Sequence, residues 1–328
     1  MVDLAADPPA LVQRIDIGHH PQGLAINCIG TLLLAASTGG MLAVLGIDGN
    51  MLTVLQQIDL GPGRLAGVSF THDGSAALVA LRDAQGVAVL EVQGTHVQPA
   101  RERVSSGVAP YAIDVDSQGR WAVVGNVGLA GSLPRAERLT ADADSVTLID
   151  VSTRPFRAVQ HFSVPSIPEG VAISPDGRWI AVLAMAGSNL DKSQPGGNDR
   201  GRLQLFEIRD GQAQRVADLP AGASAQGVVF SADSRLVFAQ FFSDRQIAVY
   251  TVNGGALVVE GVRGAVSASN VNGAVRLSGL GGRASASTVN GDLEAEFDSG
   301  LAAPARFSTV NGEIELAFSF DSLVHAEL

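Results

Sequence analysis

The chain has 328 residues, 46% of them hydrophobic and only 17% charged, with 38 glycines. This composition excludes disorder, collagen and coiled coil, and the length leaves room for roughly two domains with apolar cores. Acidic residues outnumber basic ones by 33 to 22, a net charge of −11, and Lys192 is the sole lysine. Such a surface lacks the positive footprint that a phosphate backbone requires, which argues against a nucleic-acid partner.

Residues 1–10 carry no periodic pattern and are expected to be disordered. The start shows no basic stretch followed by an apolar one, so no secretory leader is expected and the cytoplasm is the default location. Residues 12–18, VQRIDIG, resemble the end of an outer propeller strand met before any blade. Such a strand is expected to close a ring by pairing with the last blade at 246–252, in competition with residues 256–261. Cys28, the single cysteine, falls in an apolar strand pattern and is read as a buried, inert thiol. Residues 29–47 are uncharged for long enough to span a bilayer, yet the Ser37-Thr38-Gly39-Gly40 turn at their centre makes them a strand pair, so no membrane span is expected.

Self-similarity decides the architecture. Five segments open with a small residue, at Gly23, Gly67, Ala112, Gly170 and Gly227, and each continues as apolar strand, polar turn, apolar strand and two further strands. Four short strands in about 45 residues are the mark of a propeller blade. The third and fourth units carry extra residues at 127–144 and 186–202, between their second and third strands. In a propeller these insertions overhang the mouth of the central channel, where long loops tend to serve function. The composition of 188–198 equally suits a loose decoration.

At Val252 the pattern changes. A Val-Asn-Gly triplet recurs at Val252, Val271, Val289 and Val310, a period too short for a blade but suited to stacked strands joined by tight turns, as in a β-solenoid. The sequence therefore predicts an all-β fold: a β-propeller of about five four-stranded blades over 11–251, possessing fewer than the seven usual in such rings, followed by a β-solenoid-like repeat domain over 252–328. The two parts are expected to fold as separate units.

The pattern P-x-G-V-A-I-S-P-D-G-R-W, seen at Pro168 to Trp179, resembles the lactonase-like, surface-antigen-like propellers over about three quarters of the chain. That resemblance implies the fold more firmly than an activity, since such blades serve gluconolactone hydrolases, haem-binding proteins and pure binding proteins. The segments Ser287-Thr288-Val289-Asn290-Gly291-Asp292-Leu293 and Ser308-Thr309-Val310-Asn311-Gly312-Glu313-Ile314 resemble a bacterial adhesin domain, which implies a repetitive β fold without established chemistry. The tetrapeptide Thr251 to Gly254 suits both patterns, as a fusion junction would.

Residues just before the strand anchors project toward the channel mouth. They are Gln22, Ala66, Tyr111, Glu169 and Gln226, with His19, His20 and Arg64 close by. The candidate ligand-binding set is His19, His20, Arg64, Tyr111, Glu169 and Gln226, suited to a small anionic or hydroxylated ligand, or to a protein partner. Were the protein a lactonase-like hydrolase of a sugar lactone, Glu169 or His20 would be the base and Arg64 would face the oxyanion. No metal or other cofactor is expected: adjacent histidines on a strand diverge, and Asp142, Asp144, Asp191 and Asp199 lack the fixed spacing of a calcium loop. Nucleophile elbows, phosphate loops and dinucleotide fingerprints are missing from the sequence. A non-catalytic binding or interaction protein is the expected function, the alternatives being the hydrolase and a fused or truncated chain without a complete site.

Overall fold

The computed structural model describes residues 1–18, 20–129, 143–252, 257–260, 265–270, 273–297 and 304–318. Its described elements are β-strands, apart from helical residues at 128–129. Within the N-terminal stretch expected to be disordered, β1 (Val2–Asp3) pairs with β2 (Ala10–Leu11). Blade one is β3 (Pro21–Ile26), β4 (Leu32–Ser37), β5 (Met41–Asp48) and β6 (Met51–Asp59). Blade two is β7 (Leu65–Phe70), β8 (Ala76–Leu81), β9 (Gly86–Gln93) and β10 (His96–Ser105). Blade three is β11 (Pro110–Val115), β12 (Trp121–Asn126), β13 (Asp144–Asp150) and β14 (Arg157–Val164). Blade four is β15 (Gly170–Ile173), β16 (Trp179–Ala184), β17 (Arg202–Arg209) and β18 (Gln212–Pro220). Each is a four-stranded antiparallel sheet in chain order. The uncharged run at 29–47 forms the β4–β5 hairpin, and no described helix is long and apolar enough to cross a membrane.

The first turn of each blade is built in one way. Ser174 Oγ accepts from the Trp179 amide (2.8 Å) and donates to Asp176 (2.5 Å), and Thr71 with Ala76 and Asp73, and Ser231 with Leu236 and Asp233, repeat the arrangement. Asn27 and Asp116 hold the same position by accepting from the amides of Leu32 and Arg120. A short oxygen side chain thus closes the turn, and the aspartate two residues on orients its hydroxyl. This turn also corrects the expectation for Cys28: β3 ends at Ile26, Asn27 begins the turn, and the thiol is exposed.

Apolar clusters fill the spaces between successive blades. Leu34 and Val44 meet Val79 and Leu90, Val123 and Leu148 meet Val182 and Phe206, and Leu183 and Leu203 meet Val237 and Phe241. The anchoring glycines let inner strands touch, since a Cβ on Gly23, Gly67 or Gly170 would collide with the carbonyl oxygen of Ala66, Tyr111 or Gln226 in the next blade. Outer strands are joined by a recurring glutamine clamp. The Gln56 amide group donates to the Val97 carbonyl (3.3 Å) and accepts from the Val97 N–H (2.9 Å), and Gln160 clamps Ala213 likewise (3.2 and 2.7 Å).

Gln13 makes the same clamp on Leu52 (2.9 and 2.7 Å), while Ile15 and Ile17 pack on Ala35, Ala43 and Leu45 of blade one. Residues 12–17 therefore occupy the outer position beside blade one, but they form no strand and do not pair with 246–252. The reason lies in blade five, made of β19 (Ala225–Phe230), β20 (Leu236–Phe241) and β21 (Gln246–Thr251). The edge that the N-terminal segment was expected to take is already filled from the repeats.

Those repeats are β22 (Leu257–Glu260), β23 (Val266–Ser269), β24 (Val275–Ser278), β25 (Ala284–Asn290), β26 (Leu293–Phe297), β27 (Arg306–Asn311) and β28 (Ile314–Phe318). They form two parallel sheets, β22-β24-β26-β28 and β23-β25-β27, and the second continues blade five because β23 runs parallel to β21 with Val266 opposite Ile247. Leu257, Leu277, Leu293 and Phe297 fill the space between the sheets together with Val249 of blade five. The expected domain boundary at 251/252 thus lies within one continuous sheet. The Thr-Val-Asn-Gly turns stack as coils: Thr288 and Thr309 donate to the carbonyls of Gly273 and Gly291 (3.0 Å each), and a Cβ on Gly291 or Gly312 would strike the carbonyl of the coil before. Glycine is obligatory there for close approach.

Inner strands pack β3 on β7, β7 on β11, β11 on β15 and β15 on β19, and among the described residues no comparable packing joins blade five to blade one. Leu24 and Ile26 of β3 are 64% and 58% exposed, and Val229 of β19 is 56% exposed. The blades form an open arc.

Candidate functional site

The turns that lead into the inner strands aim the rim residues. Gly63, Ala109, Ile167 and Ser224 all have positive φ, and three of them, Ala109, Ile167 and Ser224, carry side chains that disfavour it. The rim residues Ala66, Tyr111, Glu169 and Gln226 follow two or three positions later. Ile167, β-branched and buried at φ 57°, is the most strained of these positions.

Four of the six candidate residues come together. The Gln22 side-chain amide donates to the Tyr111 hydroxyl (2.9 Å), joining blades one and three. The Gln226 amide donates to Glu169 (3.2 Å), joining blades five and four. Between these pairs lies Arg82, its guanidinium 5.0 Å from the centroid of the Tyr111 ring and within electrostatic reach of Glu169 and Arg64. Arg64 is gripped by Asp83: Nη2 donates at 2.5 Å, Nε at 3.1 Å, and the Arg64 backbone N–H at 2.7 Å. His20 sits exposed at the blade-one rim, where its carbonyl accepts from the Thr38 N–H (3.0 Å). His19 lies outside the described residues.

Burial and charge act on this belt in opposed ways. Burial pushes the Arg82 pKa down, with the Arg64 charge adding to the effect, and burial pushes the Tyr111 hydroxyl up, with Glu169 adding to it. The Arg64 hydrogen bonds hold the Asp83 carboxyl below its ordinary range, and Asp83 raises Arg64 in return. Arg64, the residue expected to face an oxyanion, is thus paired with Asp83. Arg82 and Asp83 escaped the sequence reading because Leu81-Arg82-Asp83 looks like the exit of a second strand into a turn. The signal was available, since second strands end on the rim where first strands begin.

Below the belt, a cleft of about 210 Å³ lined by Gln22, Leu24, Val68, Tyr111 and Ile113 opens between the inner strands of blades one to three. A serine, threonine or cysteine poised on a base is missing from the rim among the described residues. A hydroxyl–imidazole pair in blade three, Thr147 with His161 (3.0 Å), has its threonine wholly buried, beyond the reach of a substrate.

The acids of the insertions are engaged separately. Asp144 accepts from the Ile167 N–H (2.6 Å), Asp191 from Ser193 (2.9 Å), and Asp199 pairs with Lys192 (2.6 Å). Asp142 lies outside the described residues. The 186–202 segment runs through successive turns and meets blade five at Ser188, whose hydroxyl accepts from the Ser224 N–H (3.0 Å).

Comparison with known proteins gives little beyond this. No family model matches the chain, and no curated protein matches it, so neither the lactonase nor the adhesin resemblance gains support. A solved structure of hydrazine synthase from Kuenenia stuttgartiensis is similar at 14% identity and a TM-score of 0.48, over 71% of this chain and 84% of that one.

Proposed function

We propose that the protein is a non-catalytic binding protein whose ligand lies at the mouth of the arc. The observation that carries this reading is the belt Gln22–Tyr111–Arg82 with Glu169–Gln226, which sets donors and acceptors from separate blades around one concave opening. Because Arg64 is paired with Asp83, and Arg82 faces the Tyr111 ring and Glu169, the belt suits a hydroxyl-rich ligand better than a strongly anionic one. Hydroxyls of such a ligand would exchange places with the side-chain amides of Gln22 and Gln226, leaving Tyr111 and Glu169 hydrogen-bonded throughout. Strain at Ile167, beside Glu169, is consistent with a position held for binding.

Hydrolysis of a lactone asks for more. It needs a base free to take a proton from water and a cation to meet the oxyanion, and the bidentate Arg64–Asp83 pair engages the residue expected in the second role. The reading of a chain without a complete site draws on the open arc, in which the mouth is a cleft rather than an enclosed channel. Saturation-transfer NMR of the full chain with neutral oligosaccharides tests the proposal. Binding should weaken roughly tenfold in Glu169→Gln and Tyr111→Phe, the loss of about one hydrogen bond to a charged or buried group. Release of acid from any of a panel of sugar lactones, abolished by Glu169→Gln, would establish the hydrolase instead.

A further inference from the structure

A larger groove, of about 820 Å³, lies away from the rim belt, between the 186–202 insertion, blade five and the first repeat coils. Three guanidinium groups line it: Arg200 from the insertion, Arg283 before β25 and Arg306 at the start of β27. None of the three forms an ion pair among the described residues, although the chain carries an excess of carboxylates. The two carboxylates in the groove are already engaged, Asp199 with Lys192 and Asp244 with the Ala223 N–H (2.8 Å). Convergent like charges in a concave site repel one another and focus a positive potential, so the groove is built for an anion.

The floor adds hydroxyls. In-register parallel pairing sets Ser267 opposite Ser285 and Ser285 opposite Arg306, on adjacent strands about 4.8 Å apart. These positions alternate with the buried Val266, Ala268, Ala284 and Ala286, so the strand period itself turns serine toward the groove. Tyr250 forms a wall, its hydroxyl pushed by burial up to about 12 and hence a hydrogen-bond donor at any physiological pH. Guanidinium forks recognise carboxylates in a planar, bidentate way, and serine and tyrosine hydroxyls recognise sugar hydroxyls. We propose that this groove binds a sugar acid, with its carboxylate held by Arg283 and Arg306 and its hydroxyls by the serine rows.

Calorimetric titration of the full chain with tri-galacturonate, neutral galactotriose and inorganic phosphate tests this. Tri-galacturonate should bind, more weakly as salt rises, and galactotriose roughly tenfold less tightly or not at all. The pair Arg283→Ala with Arg306→Ala should lose the binding by tenfold or more, and Arg283→Lys with Arg306→Lys should retain part of it while unfolding at the parental temperature. The rim variants Glu169→Gln and Tyr111→Phe should leave it unchanged, which separates this site from the rim. The proposal is overturned if tri-galacturonate does not bind, if galactotriose binds equally, if phosphate alone binds as tightly, or if the rim variants remove the binding.

Discussion

Replacing Gln160 by alanine tests whether the glutamine clamps hold neighbouring blades together. The side chain makes two hydrogen bonds to one residue, Ala213, whose backbone is buried between blades three and four. Each is worth about 1 kcal/mol net, and the orphaned N–H and C=O add a desolvation cost, so Gln160→Ala should lose about 2–3 kcal/mol. Gln160→Met keeps the stem's packing and should lose nearly as much, which separates hydrogen bonding from burial. Gln13→Ala should cost less, about 1–2 kcal/mol, because Leu52 is only half-buried and water can partly replace the amide. Urea unfolding followed by tryptophan fluorescence suits the measurement, since the only two tryptophans, Trp121 and Trp179, are buried in blades three and four. If Gln160→Ala and Gln160→Met both change stability by less than about 0.5 kcal/mol, the ordinary range of surface substitutions, the clamps are incidental. A cost at Gln160 with none at Gln13 would show that residues 12–17 do not dock on blade one.

Asp114, half-buried in β11 near Asp116, has its carboxyl pushed by desolvation up to about 6 despite accepting from the N–H groups of Ile173 and Val115. The folded chain then holds a proton that the unfolded chain has released, so stability should fall by up to about 3 kcal/mol as the pH rises from about 4 to 6. Denaturation midpoints across that range should show the loss, and Asp114→Asn should flatten it; an unchanged slope in the variant counts against the assignment. Deleting 252–328 uncovers the β21 edge and the apolar face of Val249, so the remainder should melt lower and aggregate, and the full chain should show one calorimetric transition across blade five and the repeats. Two independent transitions would mean that the shared sheet does not couple them. Cys28 should react with a maleimide as fast as a free thiol under native conditions, and labelling only on unfolding would contradict its exposure.

The blades were legible because their signals are local. Strand alternation, a Ser/Thr/Asp turn closer and an Asp-Gly step are all contained within about a dozen residues, and the Val-Asn-Gly period likewise fixes the in-register stacking seen at Leu257, Val275 and Leu293. The resemblance of VQRIDIG to the end of an outer strand is matched in position only: Gln13 clamps Leu52 as Gln56 clamps Val97, without forming a strand. It could not say which strand would take the edge of β21. Neither expected candidate took it: residues 257–260 form β22 and pair with β24 instead, and the edge went to β23, which begins 15 residues after β21 ends, whereas residues 12–17 lie more than 200 residues away. Arg64 was found as a rim cation, but its neutralisation by Asp83 depends on two strands meeting at the rim, information that no single strand carries.

One topological choice links the edge of the arc to the groove. An outer strand paired antiparallel to β21 would close blade five as the other four blades are closed, with a polar face turned to water. Parallel pairing with β23 instead covers the edge with a sheet that keeps growing through β25 and β27. That growth carries Arg283 and Arg306 out beside the 186–202 insertion, where Arg200 and the wall of Tyr250 complete the groove. A glycine at 222 is needed for the same contact, because a Cβ there would collide with the Phe241 ring and the Asp244 carboxylate. Protection of an exposed strand edge, which any open arc requires, therefore also creates the basic concavity, and a substitution such as Ala268→Asp that breaks the β21–β23 seam should abolish sugar-acid binding and lower the melting temperature together.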